Sequence, residues 1–390
     1  MSGGAPAKIT VGFIPLLDCA CIVAALEQGF ARGEGLELAL VRETSWANIR
    51  DRLIIGHFDA AHLLGPMAVA ATLGIGHLQV PVIAPFALGL GGNAITVSNA
   101  LWQAMRKAGA TLGGHPRLQG SALAQVIRAR SQADARSARG EESPLTFGMV
   151  YPFSCHNYEL RYWLAAVGID PDRDVRLVVI PPPFLVDAMR AGQIDGFCVG
   201  EPWNSVAVAA GVGTIVTPTT AIWPHSPEKV LGCRASWAQE NGPKLDALVR
   251  ALYRAAVWCE DPANHADLAH MLAAPRYIGA PAELLHAALA NALPLAPGAA
   301  PTMLTDFYVS ARHHATFPWV SHAMWFHAQM IRWGQIQPAP AHAPAVRDTY
   351  RPDIYRRALA PLHVDVPAHD MKAERFFDDS VFEPAVDYDL

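Results

Sequence analysis

The N-terminal part of the chain alternates short β-rich segments with segments of helical spacing. Apolar and polar residues alternate over Lys8–Ile14, and Gly35–Val41 has the same strand-like character. Between them, Asp18–Arg32 carries apolar residues at helical spacing and ends at a pair of glycines. A second helix is predicted to begin near Trp46, and a third strand at Asp59. This order of strands and helices predicts a parallel sheet with right-handed crossovers.

A second unit of the same kind is predicted further along the chain. Its elements are strand Leu145–Val150, helix Ser154–Val167, strand Val175–Ile180, helix Pro183–Ala191 and strand Gly196–Val199. Before it, His115–Glu142 is predicted to form a helix that leads into a solvated loop. Another strand is predicted over Lys229–Cys233, and helices dominate after Lys244. Because 390 residues exceed one ordinary hydrophobic core, we predict two α/β lobes.

Composition and charge argue against several classes of protein. A formal net charge of -5 argues against direct nucleic-acid binding, which normally requires a basic face. The segment Ala60–Met105 lacks Asp, Glu, Lys and Arg, but glycines and prolines interrupt it throughout, so we predict buried strands and helices rather than a membrane span. The start of the chain runs from Met1 into a strand without the pattern of a secretory signal. We therefore expect a cytoplasmic protein.

No residue pattern predicts catalysis, a cofactor or a metal. The six cysteines are spread through apolar contexts, so we expect thiols buried in the core. Cys19 and Cys21 are close enough in sequence to form a redox or metal-binding pair, but this signal is weak. The pair His313 and His314 is interpreted as surface or core histidine. The run Gly89–Asn93 lacks the spacing of a nucleotide loop and instead indicates a close approach of backbone to a small ligand near a hinge.

Two residues occupy equivalent places in the two units. Trp46 and His156 each begin a helix that follows a strand. Ligands of open parallel sheets bind at the carboxyl ends of the strands, and helix N-termini there present free N–H groups and about half a positive charge. The two positions therefore predict an anion site.

These segments also resemble a known family, the nitrate-, bicarbonate- and sulfonate-type periplasmic binding proteins. The matching stretches are TSWANIRDRLIIG, DAAHLLGPM, GGNAITVS, HNYELRYWLAAVGI, GQIDGFCVGEPWN and EKVLG. The resemblance covers most of the first 240 residues. It implies a type II periplasmic-binding-protein fold, α/β in class, with two discontinuous lobes, a ligand cleft between them and a long C-terminal tail. We place lobe 1 at 1–95 plus 238–390 and lobe 2 at 96–237.

The resemblance also implies a ligand set. Nitrate-binding members use a Trp, a Gln, a His and a Lys, and the matching positions are Trp46, Asn93, His156 and Lys229. Asn93 departs from the family Gln by one methylene. An indole wall, an amide, an imidazole and one cation suit a planar monoanion such as nitrate or nitrite. We expect the bound anion to balance the charge of Lys229. We also expect no carboxylate to be placed to accept the O–H group of bicarbonate or to hold a metal ion for bicarbonate.

The preferred function is a cytoplasmic nitrate/nitrite sensor of the NasS type, which the resemblance pairs with an RNA-binding antiterminator controlling nitrate assimilation genes. Ligand closure is expected to bridge Trp46 and Asn93 on one lobe with His156 and Lys229 on the other. Two alternatives stay open. One is the substrate-binding component of an ABC transporter for nitrate, bicarbonate or sulfonate. The other is an enzyme on the same fold, such as a pyrimidine synthase that binds pyridoxal phosphate through a lysine.

Overall fold

The computed structural model describes residues 5–76, 78–134 and 144–388. The strands are β1 (Ala7–Phe13), β2 (Leu36–Arg42), β3 (Ala60–Leu64), β4 (Val82–Ala87), β5 (Leu90–Gly91), β6 (Asn93–Ser98), β7 (Thr146–Met149), β8 (Arg176–Val179), β9 (Gly196–Gly200), β10 (Gly213–Pro218), β11 (Lys229–Arg234), β12 (Ala292–Pro294), β13 (Pro301–Met303), β14 (Tyr308–Val309), β15 (Glu374–Arg375) and β16 (Val381–Phe382).

The α-helices are α1 (Ala20–Glu27), α2 (Phe30–Gly33), α3 (Trp46–Ile54), α4 (Gly65–Leu73), α5 (Asn99–Lys107), α6 (Pro116–Asp134), α7 (Cys155–Ala166), α8 (Leu185–Arg190), α9 (Trp203–Ala209), α10 (Thr219–Ile222), α11 (Ala235–Glu240), α12 (Gly242–Glu260), α13 (His265–Leu272), α14 (Ala282–Leu289), α15 (Val320–Arg332), α16 (His342–Thr349), α17 (Pro352–Leu359) and α18 (Pro384–Asp387). A 3₁₀ turn over Leu17–Cys19 connects β1 to α1.

Two five-stranded sheets organise the two lobes. The first has the order β2-β1-β3-β11-β4, and the second has the order β10-β6-β9-β7-β8. In the first, β1 pairs in parallel with β2 and β3, whereas β11 is antiparallel to β3 and β4. In the second, β7 is parallel to β8 and β9, and β6 and β10 are antiparallel. The predicted parallel units are confirmed, and each sheet adds one antiparallel strand, β11 or β6, followed by an outer strand, β4 or β10, that again runs parallel to the first three.

The chain crosses between the sheets at β5 and again before β11, and these crossings correct our assignment of two strands. All of β6, from Asn93, lies in the second sheet, and all of β11, from Lys229, lies in the first. The predicted limits of the lobes, at 95/96 and 237/238, therefore place the residues Asn93 and Lys229 on the wrong lobes. The period of an apolar strand does not reveal which sheet it joins.

Most predicted elements are present, with differences at their ends. The predicted helix Asp18–Arg32 is divided into a 3₁₀ turn, α1 and α2, because Gly29 adopts the left-handed conformation with φ 76°. The segment Ala60–Met105, which lacks charged side chains, forms β3, α4, β4, β5 and β6, in agreement with the predicted strands and helices. Among the described residues no helix is long and apolar enough to cross a membrane. Helix α6 confirms the helical part of His115–Glu142, whereas residues 135–143 lie outside the described residues.

The C-terminal region packs against both lobes. Tyr350 bridges to β4 of the first lobe, where the Arg351 N–H donates to the Ala84 carbonyl at 3.0 Å. Further on, Phe376 stacks at 4.8 Å between ring centroids on Tyr162 of α7, in the second lobe. The predicted packing of the tail is confirmed for these aromatic residues. The tail joins the lobes rather than belonging to the first one alone.

Candidate functional site

The four residues predicted to bind an anion lie close together and are almost fully buried. Trp46 opens α3, Asn93 opens β6, His156 lies in the first turn of α7 and Lys229 opens β11. Their exposed fractions are 1%, 0%, 0% and 1%. The Lys229 Nζ atom lies 6.0 Å from the centroid of the Trp46 ring, and the His156 Nε2 atom lies 3.0 Å from the Asn93 Oδ1 atom.

Each lobe contributes two of these side chains, but in a pairing different from the one expected. Trp46 and Lys229 come from the first lobe, and Asn93 and His156 come from the second. Helix α7 is held in place by Ser154, whose Oγ accepts the N–H of Asn157 at 3.1 Å, as is usual for an N-cap residue. A ligand contacting all four residues still has to bridge both lobes.

Lys229 is paired with protein carboxylates. Its Nζ atom lies 2.7 Å from Asp18 Oδ2 and also forms an ion pair with Glu228. Asp18 in turn lies 2.8 Å from Nε2 of His62, whose other ring nitrogen accepts the backbone N–H of Ile14. The expectation that the anion alone pairs Lys229 is therefore wrong. A buried lysine needs a counter-charge in the folded chain itself, and Asp18 and Glu228 supply one.

Sequence reasoning missed Asp18, His62 and Glu228. Asp18 follows β1 directly, in the position relative to the sheet that identified Trp46 and His156, but the helical pattern after it concealed this. Glu228 is the chain neighbour of Lys229. His62 is the central residue of β3 and contacts the edge of the Trp46 ring at 5.4 Å between centroids, and a strand interior carries no sequence signal for such a role.

The pKa values at this site follow from burial and close charges. Although burial opposes ionisation of both groups, Lys229 holds the pKa of Asp18 below its ordinary value, and Asp18 and Glu228 hold the pKa of Lys229 above its own. Burial and the positive charge of Lys229 lower the pKa of His156 well below its ordinary value, so its ring is neutral near pH 7. Burial raises the pKa of Glu228 to about 7, with Asp18 adding to the rise and Lys229 opposing it.

Several buried polar atoms around Lys229 have no hydrogen-bond partner among the residues that the structure describes. Among donors and ring nitrogens these are Trp46 Nε1, Asn93 Nδ2 and His156 Nδ1. Among acceptors, Glu228 Oε1 and both carboxyl oxygens of Glu159 are unpaired. Buried polar groups are usually satisfied, so atoms of this kind indicate a ligand or water position. Our expectation that no carboxylate is placed to accept from bicarbonate is wrong for Glu228.

Gly200 leaves room for this cluster. Residue 200 ends β9 and pairs with Asn93, and a Cβ atom there would lie 3.1 Å from Asn93 Oδ1 and 3.8 Å from Asp18 Oδ2. A side chain at this position would therefore fill space between Asn93 and Asp18, which come from different lobes.

The glycines of Gly89–Asn93 have a different role from the one expected. A Cβ atom on Gly91, where φ is 67°, would lie 2.3 Å from the carbonyl oxygen of Phe307. Gly91 pairs with Tyr308 of β14. The close backbone approach is real, but it is made to the C-terminal region rather than to a ligand.

The two sheets, the two crossings and the side chains at their facing edges define a two-lobed binding protein of the type II periplasmic-binding-protein fold. The crystal structure of the periplasmic nitrate-binding protein NrtA from Synechocystis superimposes with a TM-score of 0.87 at 27% identity, covering 97% of this chain and 96% of that one. This comparison confirms the predicted fold.

The chain belongs to the NMT1-like family, whose model matches residues 2–273. It is 34% identical over 388 residues to the nitrate/nitrite binding protein NrtA of Synechococcus elongatus, covering 96% of this chain and 83% of NrtA. It is 36% identical over 333 residues to the bicarbonate transport ATP-binding protein CmpC of the same organism, covering 84% of this chain and 46% of CmpC. The chain spans about half the length of the ATP-binding relatives it matches. The predicted family resemblance is confirmed.

The buried ion pair makes the first prediction. Lys229→Met should lower the free energy of unfolding by about 3–5 kcal/mol, because it removes the cation that balances the buried carboxylate of Asp18. Adding Asp18→Asn should restore a large part of this loss, since the uncompensated charge is then gone. Urea unfolding of the two single variants and the double variant measures the coupling. Strictly additive effects would contradict the pairing.

Proposed function

We propose that the chain binds nitrate or nitrite in the cleft between its lobes. The observation that carries this proposal is the pair of buried, unpaired donors from the two lobes, Trp46 Nε1 and Asn93 Nδ2, beside the ammonium of Lys229. A planar oxyanion accepts hydrogen bonds in several directions and satisfies such groups together. Two of the relatives, described as nitrate-binding, support the same ligand.

In this proposal Trp46 borders the anion position and acts as a donor. Its ring centroid lies 5.4 Å from that of His62 and 6.0 Å from the Lys229 ammonium, so an oxyanion beside Lys229 can accept from the Nε1–H group at the edge of the indole. Asn93 presents its free amide from the opposite lobe, while its oxygen is engaged with His156. The shorter side chain of Asn93, compared with the family Gln, draws the second lobe closer to a small ligand.

The indole N–H provides the second prediction. Trp46→Phe keeps an aromatic wall and removes one donor, so nitrate affinity should fall by about tenfold, corresponding to about 1.4 kcal/mol for one hydrogen bond. Isothermal titration calorimetry measures the change. Trp237→Phe, a buried substitution in α11, is the matched control and should leave affinity unchanged. Equal affinities of Trp46→Phe and the unmodified chain would place the ligand elsewhere.

Glu228 makes anion binding dependent on pH. Near neutral pH, Asp18 and Lys229 carry opposite charges and His156 is neutral, so Glu228 determines whether the site is neutral or negative. A bound monoanion raises the pKa of Glu228 further, because two like charges disfavour each other at short range. Binding is therefore accompanied by proton uptake when the solution pH lies above the pKa of the free site.

The third prediction follows from this proton uptake on binding. Nitrate affinity should weaken by about tenfold between about pH 6 and about pH 8.5, since a shift of one unit in the pKa of Glu228 corresponds to tenfold in binding. Glu228→Gln should bind nitrate with little pH dependence. Glu201→Gln is the control, because burial also raises the pKa of Glu201 to about 7 but its carboxylate accepts from the Ser205 N–H rather than pairing with Lys229.

The other ionisable groups facing Glu228 do not produce this trend. They are Asp18, Lys229, His156, Glu159, Cys155, Cys198 and Tyr350, and burial raises the pKa of the Tyr350 hydroxyl well above its ordinary value. Burial raises the pKa values of both thiols and of Glu159 well above their ordinary values, so the neutral forms dominate. A pH dependence that survives Glu228→Gln and disappears in Glu201→Gln would overturn the assignment.

Bicarbonate is a second candidate because Glu228 Oε1 is an unpaired acceptor beside the proposed anion position. An ionised Glu228 accepts the O–H group of bicarbonate, whereas nitrate has no proton to donate. This hydrogen bond offsets the repulsion between the two negative charges, so bicarbonate affinity should fall less with rising pH than nitrate affinity. Calorimetry with nitrate, nitrite and bicarbonate across the same pH range distinguishes them.

We further propose that the chain acts as a cytoplasmic sensor, in which anion binding releases an antiterminator partner. Support comes from the C-terminal tail, which contacts β4 in one lobe and α7 in the other, so relative motion of the lobes must rearrange the outer surface. An anion shifts the closed state only by its differential affinity for closed over open. The alternative remains the substrate-binding component of an ABC transporter for nitrate, and a role for the chain as an enzyme is not part of the proposal.

The partner experiment makes the fourth prediction. The chain, purified with its co-expressed antiterminator, should elute as a complex without ligand and dissociate in millimolar nitrate or nitrite on size exclusion. By linkage, the partner should weaken nitrate binding by the same factor as nitrate weakens partner binding. Trp46→Phe should need about tenfold more nitrate to dissociate the complex. A complex unchanged by saturating anion would favour the transport role, while cell fractionation tests the compartment.

A further inference from the structure

A cluster of metal-ligating side chains lies apart from the anion site. Nε2 of His225 is 3.1 Å from Oδ2 of Asp306, and Nε2 of His313 is 3.2 Å from the same oxygen. All three potential ligand atoms lie within 4.8 Å of one another. The side chains of the two histidines are 35% and 43% exposed and that of Asp306 is 18% exposed, so an ion from solvent has access.

The three residues come from different parts of the chain. His225 lies between α10 and β11, on the crossing that leads to Lys229, and Asp306 and His313 flank β14. The crossing is already fastened nearby, because Pro227 bridges to Leu90 of β5 and the Ser226 carbonyl accepts the N–H of Gly91 at 2.8 Å. The cluster therefore sits where the second interlobe crossing meets the C-terminal region.

The donor set and spacing fit a transition metal. Two imidazole nitrogens and one carboxylate oxygen are typical of sites for zinc and related ions, with further positions filled by water. Ligand atoms at 2.0–2.1 Å around a tetrahedral ion lie about 3.3 Å from one another. The separations of 3.1 and 3.2 Å agree with this spacing.

Hydrogen bonding alone accounts less well for the arrangement. Both imidazoles face one oxygen, and their rings stack with centroids 4.3 Å apart. The other oxygen of Asp306 already accepts from Arg312 at 2.6 Å, so its charge is partly neutralised.

The backbone conformation of these residues is also unusual for this chain. Seven non-glycine residues have positive φ in the part of the chain that the structure describes, and four are His225, Asp306, His313 and His314. Their φ values are 57°, 53°, 58° and 53°. Such conformations cost energy for residues with a Cβ atom and concentrate at functional sites. Here they turn three side chains toward one point.

We propose that His225, Asp306 and His313 form a binding site for a divalent transition metal of the zinc type. The ion takes both Nε2 atoms and Oδ2 of Asp306, and water completes its coordination. A bound ion would tie the crossing before Lys229 to the segment around β14, which stabilises the folded state by binding it and not the unfolded chain.

The test uses the full chain after chelator treatment, titrated calorimetrically with Zn²⁺ in the absence of nitrate. The unmodified chain should bind one more Zn²⁺ than His225→Ala/His313→Ala, and Co²⁺ should show a visible absorption band that the double variant lacks. Asp306→Asn should weaken this site at least tenfold, since the amide keeps a hydrogen-bond acceptor but loses the charge. Thermal unfolding without metal checks that the variants are folded.

Two controls separate metal binding from local packing. His314→Ala removes a neighbouring histidine outside the cluster and should retain the full stoichiometry and the Co²⁺ band. Arg312→Gln removes the competing ion pair of Asp306 and should bind Zn²⁺ at least as tightly as the unmodified chain. Unchanged Zn²⁺ stoichiometry and affinity in the folded double variant would overturn the proposal, as would absence of Zn²⁺ binding by the unmodified chain.

Discussion

The contact between Lys229 and Asp18 constrains both the fold and the chemistry of this protein. It joins the first residue of β11 to the turn after β1, at 2.7 Å and almost without exposure. Separating buried opposite charges is costly, so the two strand ends must stay together across β3. His62 of β3 supports the same carboxylate. Contacts within the protein therefore hold the edge of the first sheet that faces the second lobe in place without a ligand.

This pairing changes how an anion is recognised. A lysine whose charge is already balanced attracts a monoanion less than a free cation does, so neutral donors must contribute much of the affinity. Trp46 and Asn93 are placed to do so, with one unpaired donor group each from opposite lobes. Glu228 is then the group whose charge changes near neutral pH, because its pKa is raised to about 7. At the proposed site, selectivity among small oxyanions would rest on that carboxyl as well as on the lysine.

The sequence predicted the fold, since strand and helix periods are local properties, and the structure brings its four candidate residues together at one buried site. It could not predict which sheet β6 and β11 join, because antiparallel strands inserted from distant parts of the chain look like any other apolar strand. For the same reason Asn93 and Lys229 were assigned to the wrong lobes. Asp18 and His62 were missed because their roles arise only from tertiary proximity to Lys229.

The crossings and the tail explain how a small ligand can affect a distant surface. Both crossings meet near β5, where Gly91 allows the backbone of β14 to approach, so the C-terminal region contacts the segments that connect the two lobes. Further along, Phe376 packs on α7, the same helix that presents His156 at its first turn. A displacement of α7 toward the anion therefore moves the packing partner of the tail. Packed contacts of this kind rearrange between discrete states rather than deforming gradually, and in the proposed sensor this would let one bound monoanion alter an external surface.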